Sequence, residues 1–124
     1  MPIPEKKTIL IAENDQEILT GLINRLRRKY NLETTMVVED ALMQLSKLRG
    51  KINLIITSWD FAQLSQGAEI IRAGKMVGVQ DIIVYSHEAE VNGIRGIMMD
   101  VGADYIVQKR NHKRLFEIVS DLLS

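Results

Sequence analysis

Eight residues carry the side chains that chemistry at a single place would need: Glu13, Asn14 and Asp15, then Ser58 and Asp60, Ser86 and His87, and Lys109. Each group stands just past a short apolar run: Ile9-Leu10-Ile11-Ala12, Leu54-Ile55-Ile56, Ile82-Ile83-Val84-Tyr85 or Tyr105-Ile106-Val107. Runs of this kind, closed abruptly by polar residues, suit strands buried on both faces of a parallel sheet. In such sheets the working edge lies beyond the carboxyl ends of the strands, so all these groups converge there. Several reactions are excluded by residue type. The segment Ala12-Glu13-Asn14-Asp15 is glycine-free and acidic, so it neither cradles nor attracts a nucleotide or flavin phosphate. A nucleophile elbow needs glycines beside Ser58, and Thr57 and Trp59 stand there instead. Two histidines, His87 and His112, and no cysteine leave few candidate zinc ligands.

The elements that must position these groups alternate along the chain. Thr8 to Ala12 reads as a first strand. A helix follows, with Ile18, Leu19, Leu22, Ile23 and Leu26 on one stripe and Asn14 or Asp15 as its N-cap. Arg25, Arg27, Arg28 and Lys29 close it, complementing the helix dipole. Thr34 to Val38 reads as a second strand, and Asp40 then caps a short helix through Leu42, Leu45 and Leu48 that Gly50 stops. The third strand lies within Asn53 to Asp60. A polar loop, Gln63 to Gly67, leads to a third helix of Ala68, Ile70, Ile71 and Ala73, its exit bracketed by Gly74 and Gly78. Ile82 to Tyr85 is the fourth strand. Val91, Ile94, Met98 and Val101 space a fourth helix that ends at Gly102. Its interior Gly93 and Gly96 each cost about 1 kcal/mol relative to alanine, so it is expected to be the most pliable. Tyr105 to Val107 is the fifth strand, and Asn111 caps a last helix of Leu115, Ile118, Val119 and Leu122. This alternation predicts one α/β domain over residues 1–124, a flavodoxin-like doubly wound parallel sheet of order 2-1-3-4-5 between two helical layers.

Composition narrows the function classes. Hydrophobic residues make up 46% of the 124 and charged residues 26%, an ordinary globular balance. Sixteen basic and sixteen acidic residues cancel to a formal charge of +0, so nucleic acid and membrane surfaces exert no global attraction. The start, Met1 to Lys7, has no apolar stretch after its charges and does not read as a signal peptide. No run is long enough to span a membrane. A cytoplasmic protein that is not an enzyme is expected.

Four segments in order carry a resemblance over essentially the whole chain. They are Ile9-Leu10-Ile11-Ala12-Glu13-Asn14-Asp15, Asn53-Leu54-Ile55-Ile56-Thr57-Ser58-Trp59, Ile82-Ile83-Val84-Tyr85-Ser86 and Gly102-Ala103-Asp104-Tyr105-Ile106-Val107-Gln108-Lys109. Together they resemble the receiver domain of bacterial response regulators in two-component phosphorelays. The resemblance implies a phosphoacceptor aspartate at the end of the third strand and two acids after the first that hold Mg²⁺. It further implies a hydroxyl after the fourth strand and a lysine after the fifth. Glu13, Ser86 and Lys109 match the pattern. Asn14 replaces the second acid and Ser58 the acceptor. A serine hydroxyl is a poor nucleophile without an activating base, and losing two carboxylates leaves a hard cation weakly held by Glu13 and backbone oxygens. The resemblance therefore implies a degenerate pseudo-receiver with no cofactor, or at most weak Mg²⁺, and no aspartyl phosphorylation. The alternative places Asp60, two residues beyond Ser58, as an atypical acceptor or metal ligand; otherwise it is a loop aspartate capping a turn.

Further departures concern the switch and the surface. The switch aromatic of the family aligns with Ile106, and Tyr105, one residue earlier, is expected to face the other way. His87 stands where a small residue lets phosphate in, either narrowing the pocket or lying exposed in its loop. Lys109, without phosphate, is expected to pair with Glu13 or Asp15. Arg110 replaces a proline, and the run through Lys113 and Arg114 is basic where the helix dipole disfavours cations, so Lys109, Arg110, Lys113 and Arg114 form a candidate partner surface. The face of the fourth helix, fifth strand and fifth helix is the family's usual dimer or partner surface. The implied partners are signalling proteins, a histidine kinase or another regulator among them, or a second copy. Nucleic acid is the weakest candidate.

Overall fold

A computed structural model describes residues 5–124. Met1 to Pro4, the start of the stretch read as lacking a leader, lie outside the described residues. The elements are β1 (Thr8–Ala12), α1 (Gln16–Leu26), β2 (Asn31–Thr35), α2 (Val38–Lys47), β3 (Leu54–Thr57), α3 (Gly67–Met76), β4 (Asp81–Ser86), α4 (Asn92–Val101), β5 (Tyr105–Gln108) and α5 (His112–Leu123). All strand pairs are parallel, in the expected order β2-β1-β3-β4-β5. Parallel pairing requires crossovers, and each is supplied by a helix.

The two-residue period of the strands sorts the core into two layers. Leu10, Ala12, Ile55, Ile82 and Val84 pack with Val38, Ala41 and Leu45 of α2, Ile70 and Ile71 of α3, and Met98 of α4. Their strand neighbours Ile9, Ile11, Leu54, Ile56, Ile83 and Tyr85 face the opposite side, against Ile18, Leu19 and Leu22 of α1 and Leu115, Ile118 and Val119 of α5. β1, β3 and β4 are thus covered on both faces, which explains their near-continuous apolar sequence.

Four expectations need correction. The second strand ends at Thr35, because the Thr35 Oγ1 accepts from the Val37 N–H at 3.1 Å and turns the chain. The β-branched pair Val37-Val38 therefore opens α2, with Val38 on its buried face, and Asp40 lies in the first turn, where it complements the dipole without capping. Gly74 lies within α3 rather than at its exit. Gly67 closes no polar loop; it is the first residue of α3, and its N–H donates to the Trp59 carbonyl at 2.7 Å. In α4 only Met98 is fully buried, while Ile97 and Met99 are exposed, as is Val91 at its N-cap.

Candidate functional site

At the carboxyl edge of the sheet, β1, β3 and β5 deliver three side chains to one point. Glu13 follows β1, its N–H donating to the Thr35 carbonyl at 3.0 Å, and Ser58 follows β3, donating to the Ala12 carbonyl at 2.9 Å. Lys109 follows β5 and donates to the Ser86 carbonyl at 3.0 Å. The ladders thus continue one residue past each strand and fix these backbones rigidly. Glu13 and Ser58 are each 1% exposed and Lys109 8%.

The Lys109 ammonium is the centre of the cluster. It donates to Glu13 Oε2 at 2.8 Å, Ser58 Oγ at 3.1 Å and Asn14 Oδ1 at 3.4 Å. The Ser58 hydroxyl in turn donates to Asn14 Oδ1 at 3.3 Å. An ammonium has three donors, and all three are used. Glu13 Oε2 also accepts the Asp15 N–H at 3.0 Å, while Asp15 caps α1 through Glu17 and Ile18. The expected ion pair of Lys109 is therefore with Glu13, and Asp15 is committed to the helix. Lys109 is also removed from the candidate partner surface, which retains the exposed Arg110, Lys113 and Arg114.

A divalent cation does not suit this donor set. One carboxylate, one amide oxygen and one hydroxyl point inward, and the ammonium satisfies them all. Among the described residues no group of three or more His, Asp or Glu side chains is placed to hold a metal. Asp60 does not join Glu13 and Asn14. It lines the same cavity of about 270 Å³ with Asn14, Asp15, Ser86, His87, Glu88 and Lys109, but its Oδ1 accepts the Ser65 N–H at 2.7 Å. That bond holds the left-handed turn at Ser65, φ 62°.

Asp60 also faces Glu88 across the cavity mouth. Hydrogen bonding to Asp60 foremost, then burial and the Asp60 charge, holds the Glu88 carboxyl above its ordinary value. A group raised in this way favours the folded state while protonated and loses that contribution as pH rises through its folded value. Glu88→Gln is accordingly expected to raise Tm relative to the parent chain at pH 7, the difference vanishing below about pH 4. Thermal melts across pH check this; a gain independent of pH contradicts the pairing.

The remaining candidates are placed as follows. Ser86 Oγ accepts the Glu88 N–H at 3.0 Å, making a local turn beside the cavity. His87 is exposed at its rim, and its carbonyl accepts from Gln108 at 2.9 Å. Ile106 packs with the α2–α4 layer and Tyr105 with the α1–α5 layer, so the aromatic lies on the opposite face from the switch position. Tyr85 escaped notice in the sequence because it sits inside an apolar run. It is fully buried, with its hydroxyl 2.8 Å from His112 Nδ1 and accepting the Arg110 N–H at 2.8 Å. Burial pushes its phenol above 10.0, against the lowering effect of the Arg110 bond, so it keeps its proton.

Sheet order defines a flavodoxin-like fold of the CheY type, with the Lys109 cluster at the carboxyl ends of β1, β3 and β5. Solved structures with this fold include a response regulator of Thermotoga maritima in complex with Mg²⁺ and beryllofluoride, at 24% identity and TM-score 0.76, covering 94% of this chain and 99% of that one. A receiver domain of Methanospirillum hungatei matches at 22% identity and TM-score 0.78, over 96% and 94% of the two chains. The Vibrio cholerae chemotaxis protein CheY4 matches at 19% and TM-score 0.80, over 95% and 99%. No family model and no curated protein matches the chain by sequence. No helix among the described residues is long and apolar enough to cross a membrane.

Proposed function

We propose that this chain is a receiver-like signalling module that acts by contact with other proteins and takes no phosphate on an aspartate. The observation that carries the reading is the closed cluster in which Lys109 holds Glu13, Asn14 and Ser58. Where the resemblance calls for a carboxylate nucleophile there is a hydroxyl, hydrogen-bonded to an amide oxygen and an ammonium, with no base to activate it. Mg²⁺ would have to displace the ammonium and then accept a single carboxylate. The fold shared with response regulators supports signalling as the role, and the module is read as cytoplasmic and catalysing no reaction of its own.

The partner surface in this reading is the α4–β5–α5 face. Val91, Ile97 and Met99 are exposed on or just before α4, and Arg110, Lys113 and Arg114 are exposed at and before the start of α5. Its occupant is another signalling protein, a histidine kinase or regulator, or a second copy; nucleic acid is not favoured. Incubation with acetyl phosphate and Mg²⁺, followed by intact mass, tests the reading. No adduct is expected on the parent chain. A stoichiometric adduct that disappears in Asp60→Ala would establish the atypical-acceptor alternative instead.

A further inference from the structure

A second cavity, an open cleft of about 630 Å³, lies between the end of α1 and α5, away from the Lys109 cluster. Arg25, Lys29 and Lys113 line it. Among the described residues the ion pairs are Lys75–Asp104 and Lys109–Glu13, so these three cations have no acid partner. The Arg25 guanidinium is held over the Phe116 ring, 5.0 Å from its centre, and the His112 ring lies alongside Phe116, 18° from parallel.

The hydrogen bonds of Tyr85 decide what His112 offers this cleft. The Tyr85 oxygen accepts from the Arg110 N–H, and because the buried hydroxyl has no other acceptor among the described residues, its proton goes to His112 Nδ1. A neutral imidazole accepting at Nδ1 carries its proton at Nε2, a tautomer assigned here from the network. His112 is exposed and lines the cleft together with Arg25, Lys29 and Lys113, so Nε2–H is a donor available to it. Glu117 and Asp121, further along α5, also line the cleft, which restricts an anion to the end near His112 and Lys113. Cations in the first turn of α5, unrewarded by the dipole, acquire a purpose if an anion sits there.

We propose that the α1–α5 cleft is a binding site for one phosphate group, free or carried by a small molecule, and that His112 and Tyr85 couple its occupancy to the turn beside Lys109. The donors run in one direction: the Arg110 N–H to the Tyr85 oxygen, the Tyr85 O–H to His112 Nδ1, and His112 Nε2–H to the anion. Each bond in such a chain polarises the next, so an acceptor at Nε2 strengthens the rest. The far end is the Arg110 backbone, held at φ 73°, a left-handed conformation uncommon outside glycine, and its neighbour is Lys109. This goes beyond the proposed function and does not depend on it.

Titration of the full chain with inorganic phosphate and, separately, with adenosine monophosphate tests the site, read by ¹H–¹⁵N spectra that include the imidazole nitrogens. Saturable shifts at Arg25, His112 and Lys113 are expected, with affinity falling about tenfold in Arg25→Ala, as loss of one charge-assisted contact requires. Tighter binding of the nucleotide assigns the source to a nucleotide resting on the aromatic floor; equal binding assigns it to free phosphate. Tyr85→Phe should weaken binding, by less than Arg25→Ala does, and lose the shifts at Lys109 and Arg110. Absence of saturation by both probes, indifference to Arg25→Ala, or shifts at Arg110 that persist in Tyr85→Phe would overturn the proposal. So would an unliganded His112 protonated at Nδ1 alone, a measurement on the parent chain that needs no variant to fold.

Discussion

Lys109→Met is expected to cost about 3–5 kcal/mol of stability at pH 7, measured by urea unfolding, because it strands a buried carboxylate. Glu13 is 1% exposed, and the Lys109 ammonium is its one ion-pair partner among the described residues. Asp15 N–H also donates to it, but a single amide does not replace the charge. The same substitution leaves Ser58 and Asn14 facing each other without the cation that now joins them. The double variant Glu13→Gln/Lys109→Met removes the stranded charge and should recover a large part of the loss. A single-variant cost below about 1 kcal/mol, the range of an exposed ion pair, would mean that the cluster holds nothing together.

Gly67→Ala is expected to be comparably severe, about 3 kcal/mol or more, since the added methyl meets backbone and no neighbour can rotate away. An alanine Cβ at that position would overlap the Ser58 carbonyl oxygen and come within 2.8 Å of both Trp59 Cα and the Trp59 oxygen. The start of α3 is thus pressed against the segment that carries Ser58, and separating them would displace the hydroxyl from Lys109. Gly93 is the internal control. A Cβ there meets nothing within 4 Å, so Gly93→Ala should stabilise the chain by about 0.5–1 kcal/mol through helix propensity alone. Chemical denaturation of the two variants gives both signs in one assay; equal effects would refute the packing argument.

The contrast between Gly67 and Gly93 also marks how far the chain could be read without coordinates. Strand order and layers were legible because the continuous apolar run Leu54-Ile55-Ile56 and the helical spacing of Ile18, Leu19 and Leu22 leave few alternatives. The convergence of Glu13, Ser58 and Lys109 followed from strand ends alone. What was hidden depends on backbone approach or on a distant partner. Nothing local distinguishes Gly67, pressed on Ser58, from Gly93, which faces open space. Val37-Val38 has strand propensity, yet the Thr35 hydroxyl turns the chain first. Tyr85 reads as one more apolar strand residue, and its bond to His112 spans 27 positions. Asp60 was open between ligand and cap because only the structure places the Ser65 N–H against it.

On the proposed function, the Lys109 ammonium occupies the place where a phosphorylated receiver would need a divalent ion and a carboxylate. Amide spectra of the parent chain, recorded through a Mg²⁺ titration and again with beryllofluoride, test it most directly. The account predicts no saturable change at Glu13, Asn14, Ser58, Ser86 or Lys109 under either condition. Saturable shifts at those residues, lost in Asp60→Ala, would show a working acceptor site and contradict it.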